Sequence, residues 1–387
     1  MTAAETPGAE VAESFLRSAV GGPRGSRARA RFHPLRVAAI RPLTEDAVEV
    51  TFAVPAALAS AYDYLPGQHV ALRREIDGRE LRRSYSLCRP PEPGQMSVAI
   101  KRDRGGLFST WAHTALRVGD DIDVMSPQGS FTTRLADLDG RHVAGVAAGS
   151  GITPLMALAT TMLARSDTAH FTLLYTNRSA RDIMFLEELA DLKDRYPARF
   201  ELIHVLTREK RAAPLLSGRL DDERLGRILD ELIPPASIDE WFLCGPIDLV
   251  QRCRELLGTR GVPAAHVRYE LFTTGESPGA ERPARTVDAD SDAVAVEITF
   301  TLDGLAATVR SPVDAHETIL DAALRVRPDT PFACAGGVCG TCRARLLSGS
   351  VTMTENYALE PDEIEQGFVL SCQSHPTSER VEVSYDV

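Results

Sequence analysis

The sequence predicts a multidomain fold: an antiparallel β-barrel, then a doubly wound α/β domain with a parallel sheet, then a small α+β domain. Its 387 residues, 44% of them hydrophobic, are enough for two or three separate cores. Near residue 140, short alternating runs give way to strands that alternate with helices. Residues 273–293 lack periodicity and are rich in Gly, Pro, Ser and acidic residues, which predicts a linker.

The N-terminal part divides into a tail and the barrel. Residues 1–32 place an arginine-rich stretch beside glycine, alanine and glutamate. This composition predicts a disordered tail rather than a nucleic-acid-binding segment or an organelle transit peptide. Residues 33–138 contain about six short alternating runs bounded by turn residues, among them VEVTFAV and MSVAIKRD, and these predict the antiparallel barrel.

The two remaining domains follow from their own patterns. Residues 139–272 alternate the strand-like RHVAGVAAG, HFTLLYTN and FELIHVLT with helical stretches such as PLMALATTMLA, which predicts a parallel sheet. Residues 294–387 begin with a hairpin pattern that turns at Asp303-Gly304 and continue with the short amphipathic stretch ETILDAALRV. We expect a small sheet there with one helix packed across it.

Charge and cysteine usage narrow the class of protein. The net charge is −11, and residues 295–387 alone carry six arginines against fourteen acidic residues. Such an acidic face repels nucleic acid and suits either a basic protein partner or simple solubility. Seven cysteines without a secretory leader favour a reducing compartment, and no apolar run approaches the roughly 18 residues of a membrane span. We therefore expect a cytoplasmic protein with neither a nucleic-acid nor a membrane partner.

Four cysteines in the last domain have the spacing of metal ligands. Cys334, Cys339 and Cys342 form C-x4-C-x2-C, and Cys372 follows after 29 intervening residues. This is the plant-type spacing of a [2Fe–2S] cluster, whose irons prefer thiolate ligands. A structural zinc site is the alternative, but zinc ligands usually come as paired C-x2-C units and Cys372 has no cysteine neighbour. The four cysteines therefore predict a [2Fe–2S] cluster.

Two motifs in the barrel region predict a site for a phosphorylated cofactor. LRRSYSLC (81–88) ends a strand with a cation, an aromatic ring and a hydroxyl group, namely Arg83, Tyr85 and Ser86. About twenty residues later, Gly105 and Gly106 precede Ser109 and a helical stretch. Backbone N–H groups at a helix start form a natural site for pyrophosphate. An ordinary turn would explain the two glycines if the first motif were missing.

A second pair of motifs follows strands of the parallel sheet. AAGSGITP contributes a turn and a helix start, with Gly149, Gly151, Thr153 and Pro154. This helix N-terminus can face a dinucleotide phosphate, although the turn is not G-x-G-x-x-G. FLCGP, about ninety residues later, contributes Cys244, Gly245 and Pro246. Cys244 as a covalent nucleophile is the alternative, but no histidine lies near it in sequence to act as its base.

Taken in this order, the motifs resemble the ferredoxin–NADP reductase superfamily. The resemblance implies an FAD-binding barrel, an NAD(P)H-binding domain and a β-grasp ferredoxin domain, and it favours FAD over FMN. In that family the arginine, here Arg83, meets the flavin phosphates and the tyrosine, Tyr85, packs on the ring system. The serine, Ser86, lies near the ring nitrogen that accepts hydride, and the turn that begins at Cys244 lies beside the nicotinamide. Ser86 and Cys244 are thus the candidate catalytic residues.

The preferred nicotinamide nucleotide depends on the end of the second parallel strand. An acid there would bind the ribose 2′-hydroxyl group, and an arginine would bind a 2′-phosphate. The sequence YTNRSARD offers Arg178 and Arg181 before Asp182. Arg178 favours NADPH, although an ion pair between Arg178 and a surface acid is equally compatible with this stretch.

Further stretches resemble the reductases of multicomponent oxygenases. NRSARDIMF, YELFTT and ACAGGVCGTC are most similar to the reductases of phenylacetyl-CoA epoxidases, which are di-iron monooxygenases. The reductases of Rieske oxygenases such as ketosteroid 9α-hydroxylase share the architecture. The resemblance implies electron transfer from NAD(P)H through FAD and the cluster to an oxygenase partner.

Two other functions remain open. The first is a ferredoxin with a degenerate reductase, against which the intact RRSYSLC, GSGITP and CGP motifs argue. The second is a redox-responsive or nitric-oxide-responsive flavoprotein that acts without an oxygenase. The sequence lacks the globin or sensor module expected for that function.

Overall fold

The computed structural model describes residues 31–272, 295–359 and 361–386. The tail predicted for 1–32 and the linker predicted for 273–293 lie outside these residues, except that Phe32 already begins the first strand. The described residues form an N-terminal barrel, a parallel-sheet domain and a C-terminal domain, as the sequence predicts. The exact domain boundaries stay predictions.

The N-terminal domain is built from six antiparallel strands in the order β4-β3-β6-β1-β2-β5 within the described residues. The strands are β1 (Phe32–Thr44), β2 (Ala47–Ala53), β3 (His69–Ile76), β4 (Arg79–Ser86), β5 (Gln95–Lys101) and β6 (Asp121–Met125). An isolated bridge between Leu87 and Val98 joins the ends of β4 and β5, so the sheet closes into the predicted barrel. Val50 and Phe52 of β2 are fully buried in its core. Helix α1 (Leu107–Thr114) packs Phe108 against the same core.

The second domain has a five-stranded, fully parallel sheet in the order β11-β10-β7-β8-β9. Its strands are β7 (His142–Ala148), β8 (His170–Asn177), β9 (Phe200–Leu206), β10 (Glu240–Gly245) and β11 (Val267–Leu271). The helices are α2 (Ile152–Arg165), α3 (Leu186–Arg195), α4 (Asp222–Glu231) and α5 (Ile247–Thr259). Separate hydrophobic clusters on the two faces of the sheet explain why β8 and β10 are almost entirely buried. The sequence analysis did not assign α4, α5 or β11.

The strand order creates a crevice between β7 and β10. The chain proceeds from β7 outward to β8 and β9, and then returns to place β10 and β11 on the other side of β7. Ligands of open α/β sheets bind at such a switch point, at the carboxyl ends of the strands. The AAGSGITP and FLCGP motifs follow these two strands, so the topology brings them together.

The C-terminal domain is the small α+β fold that the sequence predicts. Its main sheet has the order β13-β12-β18-β14-β16, with β12 and β18 parallel. The strands are β12 (Ala295–Leu302), β13 (Leu305–Pro312), β14 (Arg343–Ser348), β15 (Val351–Met353), β16 (Phe368–Leu370), β17 (Ser374–Pro376) and β18 (Arg380–Ser384), and the helices are α6 (Ile319–Leu324) and α7 (Pro361–Glu365). Asp303 and Gly304, both with positive φ, form the hairpin turn as predicted. A capping box of Thr318 and Asp321 begins α6, which packs across the sheet.

Two further features concern the chain as a whole. All seven cysteines, each of which lies among the described residues, are free thiols. Within that same part of the chain, none of the helices has the length and apolar character that a bilayer crossing requires.

Candidate functional site

Ser86 and Cys244 come from different domains but share one neighbour, Glu270. Ser86 ends β4 with its side chain buried, and its hydroxyl donates a hydrogen bond to Oε2 of Glu270 over 3.0 Å. Glu270 lies on β11, and the parallel register places it opposite Cys244 of β10. The two candidate catalytic residues therefore meet at a carboxylate that the sequence analysis did not single out. The signal that could have identified Glu270 was its place near the carboxyl end of a parallel strand, beside a cysteine already chosen.

The Cys244 side chain is a neutral thiol in this environment. Burial raises its pKa well above the ordinary value, and the negative charge of Glu270 acts in the same direction. Nucleophilic cysteines need a lowered pKa, which an electropositive setting provides. The surroundings of Cys244 therefore argue against covalent thiol catalysis.

The barrel motifs Arg83-x-Tyr85-Ser86 and Gly105-Gly106 lie next to each other. Burial raises the pKa of Asp103, while the positive charge of Arg83 opposes this rise, so the two side chains are close. Asp103 directly precedes the turn that leads into α1, and its N–H donates to Oγ of Ser109 over 3.1 Å. Ser109 therefore braces the turn from inside the helix. The cation of Arg83 and the N-terminus of α1 face one region.

The Tyr85 ring continues this region with an aromatic surface. Its centroid lies 5.9 Å from that of Phe108, with the rings tilted by 36°. Burial raises the pKa of the Tyr85 hydroxyl, so the ring stays neutral. A cation, a helix N-terminus, an aromatic face and a hydroxyl group fit the phosphates and ring system of a flavin nucleotide.

The two glycine motifs of the parallel-sheet domain touch each other. Gly151 leads from the turn into α2, where the hydroxyl of Thr153 donates to the carbonyl of Ser150 over 3.0 Å. A Cβ atom on Gly151 would lie 2.1 Å from the carbonyl oxygen of Cys244, so only glycine fits there. Pro246 directly precedes α5, and two helix starts therefore open beside this contact. The arrangement suits a dinucleotide phosphate at the switch point.

Arg178 is engaged in ion pairs that reach out of its own domain. Its guanidinium lies 3.0 Å from Oδ2 of Asp46, a barrel residue, and it also pairs with Asp182. The side chain is 43% exposed. The preference for NADPH therefore stays a prediction, because these carboxylates occupy the cation that would bind the 2′-phosphate.

The fold of the C-terminal domain assembles the four predicted cysteine ligands. Strand β14 begins directly after Cys342 and pairs with β16, which ends two residues before Cys372. The backbone N–H and the hydroxyl of Ser371 both donate to the carbonyl of Cys342, over 3.1 and 2.9 Å. These contacts bring the distant fourth cysteine to the loop that carries the other three.

The thiols are arranged as two pairs. Hydrogen bonding within the Cys334–Cys339 pair raises the pKa of Cys334 and lowers that of Cys339, and the Cys342–Cys372 pair raises and lowers its two pKa values in the same way. Within the described ranges, no three or more histidine, cysteine or acidic side chains are arranged to hold a single metal ion. Two pairs of thiols fit a cluster with two irons and four thiolates better than they fit one zinc ion.

The backbone of the loop supports the same interpretation. The N–H groups of Gly336 and Cys339 both donate to the sulfur of Cys334 over 3.4 Å. Gly337 has φ of +75°, and a Cβ atom there would lie 2.9 Å from the carbonyl oxygen of Glu355. Hydrogen bonds to the sulfurs stabilise ligating thiolates and tune the cluster potential.

The cysteine loop lies against the barrel, beside the residues already described. Cys339 packs against a small buried cluster formed by Ala71, Met125 and Ala333. The charge of His69 on β3 contributes, after the hydrogen bond from Cys334, to the low pKa of Cys339. Nδ1 of His69 lies 3.5 Å from Oε1 of Glu270. Ser86, Glu270, His69 and Cys339 thus form a continuous line from the flavin motif to the cysteine loop.

Comparisons with known proteins agree with this division into three sites. Residues 34–133 match the model of the oxidoreductase FAD-binding domain, residues 146–255 that of the oxidoreductase NAD-binding domain, and residues 300–377 that of the 2Fe-2S iron-sulfur cluster binding domain. One of the proteins that make up the 1,2-phenylacetyl-CoA epoxidase of Escherichia coli is 44% identical over 92% of this chain and 98% of its own length. The chain belongs to this family of FAD-, NAD- and [2Fe–2S]-binding oxidoreductases.

Two other similar proteins show how widely the architecture extends. The ferredoxin reductase component of 3-ketosteroid-9-alpha-monooxygenase from Mycobacterium tuberculosis is 35% identical to the oxidoreductase, over 91% of this chain and 95% of its own length. The structure of phthalate dioxygenase reductase covers 91% of this chain and 98% of its own, with a TM-score of 0.55 and 21% identity. At that identity the second likeness shows the fold alone. The predicted order of a flavin barrel, a nicotinamide domain and a ferredoxin domain is confirmed.

Proposed function

We propose that this oxidoreductase passes electrons from NAD(P)H through FAD and the [2Fe–2S] cluster to an oxygenase, and that the oxygenase is a phenylacetyl-CoA epoxidase. The observation that carries the electron path is the line Ser86–Glu270–His69–Cys339, which connects the flavin motif with the cysteine loop. The 44% identity with an epoxidase component over nearly the full length supports the choice of oxygenase.

The barrel residues would hold the flavin and orient it. When bound, FAD accepts a hydride from the nicotinamide and releases two electrons singly, and the cluster carries one electron at a time. Arg83 and the helix start after Gly105 and Gly106 neutralise the phosphates. Tyr85 packs on the ring system, and Ser86, held by Glu270, presents its hydroxyl to the ring nitrogen.

The parallel-sheet domain would place the nicotinamide nucleotide against the flavin. The turn with Gly149 and Gly151, followed by Thr153 and Pro154 at the start of α2, binds the dinucleotide phosphates. Cys244, Gly245 and Pro246 border the nicotinamide, with Cys244 acting as a neutral surface rather than a base. We assign Arg178 to the 2′-phosphate of NADPH, after release from its carboxylate partners.

The four thiolates of Cys334, Cys339, Cys342 and Cys372 hold the cluster in this proposal. A plant-type cluster has a potential of roughly −400 mV. That potential is low enough to reduce a di-iron or Rieske centre. The organic substrate is then selected by the oxygenase partner.

A Rieske oxygenase is the second candidate partner. It is favoured by the 35% identity with the reductase component of a ketosteroid monooxygenase over 91% of this chain. The epoxidase takes precedence because its component is the more similar relative over an equal share of the chain.

The test begins with the purified protein, which should show both flavin and iron–sulfur absorption. It should reduce cytochrome c with NADH and with NADPH, compared side by side. Turnover is then measured with the reconstituted oxygenase components of a phenylacetyl-CoA epoxidase and, in parallel, with a ketosteroid 9α-hydroxylase oxygenase. Support of the hydroxylase alone would transfer the assignment to the Rieske class.

Two simpler outcomes address the other functions. Pure protein that contains the cluster but binds no flavin would indicate an electron carrier with a degenerate reductase. A pull-down from the native host that recovers no oxygenase component would favour a stand-alone redox-responsive flavoprotein. We place the protein in the cytoplasm, where its seven free thiols would stay reduced.

A further inference from the structure

Arg82, next to the flavin motif, joins the barrel to the C-terminal domain. It lies on β4, and its side chain is only 5% exposed. Its guanidinium carbon lies 4.1 Å from the ring centroid of Phe332, and its Nη2 donates to the carbonyl of Pro328 over 3.3 Å. Both of these partners belong to the C-terminal domain.

The remaining contacts of Arg82 lie within the barrel. The guanidinium is 5.3 Å from the ring centroid of Phe32 and pairs with Glu80 over 2.8 Å. Burial lowers the pKa of Arg82, because the charged form loses solvent. A desolvated cation needs all of its contacts. Since Phe332 and Pro328 supply two of them, the arginine is satisfied only while the domains are docked.

The grip of Arg82 lies directly before the cysteine loop. Phe332 is two residues from Cys334, and the intervening Ala333 is buried against Ala71 and Met125 of the barrel. Cys339 packs on the same patch. A shift at Phe332 would therefore move the cluster ligands relative to the barrel and to any flavin held there. Electron transfer rates fall steeply as the distance between donor and acceptor grows.

We propose that Arg82 is a positioning residue: it holds the cysteine loop on the barrel and thereby sets the rate of electron transfer from flavin to cluster. The proposal rests on the electron path of the proposed function. Two electrons leave NAD(P)H as hydride, two ferricytochrome c molecules each take one electron from the cluster, and one proton is released to solvent. Arg82 changes how fast the electrons reach the cluster, and it takes no part in hydride transfer.

Arg73 provides a matched control. It pairs with Arg82 across β3 and β4, and its guanidinium carbon lies 4.4 Å from the same Phe32 ring. Its ion pair is with Asp123, also in the barrel, over 2.9 Å. Substitution of Arg73 thus removes a similar cation from the same ring while it leaves the contacts to Phe332 and Pro328 in place.

The experiment compares holoenzymes carrying Arg82→Ala, Arg82→Lys and Arg73→Ala. For Arg82→Ala we expect unchanged flavin and iron content, and unchanged reduction of ferricyanide, which takes electrons from the flavin directly. The rate of cluster reduction in stopped flow and the rate of cytochrome c reduction should each fall at least tenfold. Arg82→Lys should recover part of the loss, because it keeps the charge without the planar fork. Arg73→Ala should match the wild type.

A second variant keeps the test informative if Arg82→Ala folds poorly. Phe332→Leu removes the aromatic partner from the other domain, and it should slow cluster reduction in the same way. The double variant Arg82→Ala/Phe332→Leu should be no slower than the worse single variant, since both break one contact. Additive losses would contradict a shared contact.

A structural readout separates this proposal from the proposed function. Hydrogen–deuterium exchange of the peptide spanning 328–342 should rise in Arg82→Ala and stay at the wild-type level in Arg73→Ala. Equal exchange and equal cluster-reduction rates in these two variants would overturn the role of Arg82. A wild-type protein whose flavin never reduces its cluster would instead overturn the electron path, and the exchange experiment would still decide the docking contact.

Discussion

The hydroxyl of Ser86 on β4 donates a hydrogen bond to Oε2 of Glu270 on β11 over 3.0 Å, across a sequence separation of 184 residues. The bond connects the barrel with the parallel sheet at the point where the flavin and nicotinamide motifs meet. Because β11 pairs with β10 in register, the same glutamate lies opposite Cys244. The relative placement of the two domains is therefore fixed at the candidate site of hydride transfer.

Loss of this bond should slow hydride transfer. A hydrogen bond to a charged group contributes about 1.5–3 kcal/mol, which corresponds to a rate change of roughly tenfold to a hundredfold. We expect Ser86→Ala and Glu270→Gln each to lower the rate of ferricyanide reduction with NAD(P)H by that factor. Thr133→Val is the control, because the hydroxyl of Thr133 donates to Glu240 over 2.6 Å, away from the motifs. An equal loss in the control would indicate a general effect of buried hydrogen bonds.

Removal of one cluster ligand should separate the two halves of the electron path. Cys372→Ser should abolish iron–sulfur absorption and cytochrome c reduction, while ferricyanide reduction continues because the flavin motif is intact. Cys253→Ser is the matched control, since burial raises the pKa of Cys253 to about 12 and this thiol belongs to the core of the parallel-sheet domain. Full cytochrome c activity in a cluster-free variant would show that electrons leave from the flavin.

The buried carboxylate Glu49 should make the barrel acid-sensitive. Burial by itself raises its pKa, but hydrogen bonds from Arg89 and Arg41 outweigh this effect and lower it overall. Arg89 also reaches Glu188 on α3 over 2.9 Å, so the network joins two domains. Because the folded-state pKa is the lower one, the stabilisation is complete above the unfolded value of about 4.3. It is lost as the pH falls through the folded-state pKa.

Glu49→Gln should therefore cost about 3 kcal/mol of unfolding free energy at neutral pH, since it leaves two arginines without their buried anion. The difference from wild type should shrink as the pH falls below about 4.3. Urea denaturation at several pH values measures both effects. The exposed Glu45, changed to Gln, should have little effect at any pH. A pH-independent difference for Glu49→Gln would contradict the proposed ionised state.

Arg178 should discriminate between the two nicotinamide nucleotides. Its ion pairs with Asp46 and Asp182 are partly exposed, and such pairs contribute little, so a 2′-phosphate can compete for the guanidinium. We expect Arg178→Gln to raise the KM for NADPH about tenfold, as loss of about 1.4 kcal/mol of binding requires, and to leave the KM for NADH unchanged. Arg181→Gln is the neighbouring control. Equal changes for both nucleotides would restrict Arg178 to its ion pairs.

Much of the fold could be predicted because its signals are local. β8 has the bounds of the quoted stretch HFTLLYTN, and the Asp303-Gly304 turn follows from two residues that tolerate positive φ. The four cysteines were identified from spacing alone. Helices α4 and α5 were missed although Leu225, Ile228 and Leu229 have helical spacing in α4, because charged residues and neighbouring loops obscured the short pattern.

The sequence by itself determined the order of the three domains, the motifs for each cofactor and the ligands of the cluster. Each of these depends on residues a few positions apart, whose periodicity and spacing do not need a fold. Only the tertiary structure decided that Glu270 bridges Ser86 and Cys244, and that Arg82 contacts a carbonyl 246 residues away. The roles of these side chains come from partners in other domains, and sequence separation carries no information about such contacts until the chain has folded.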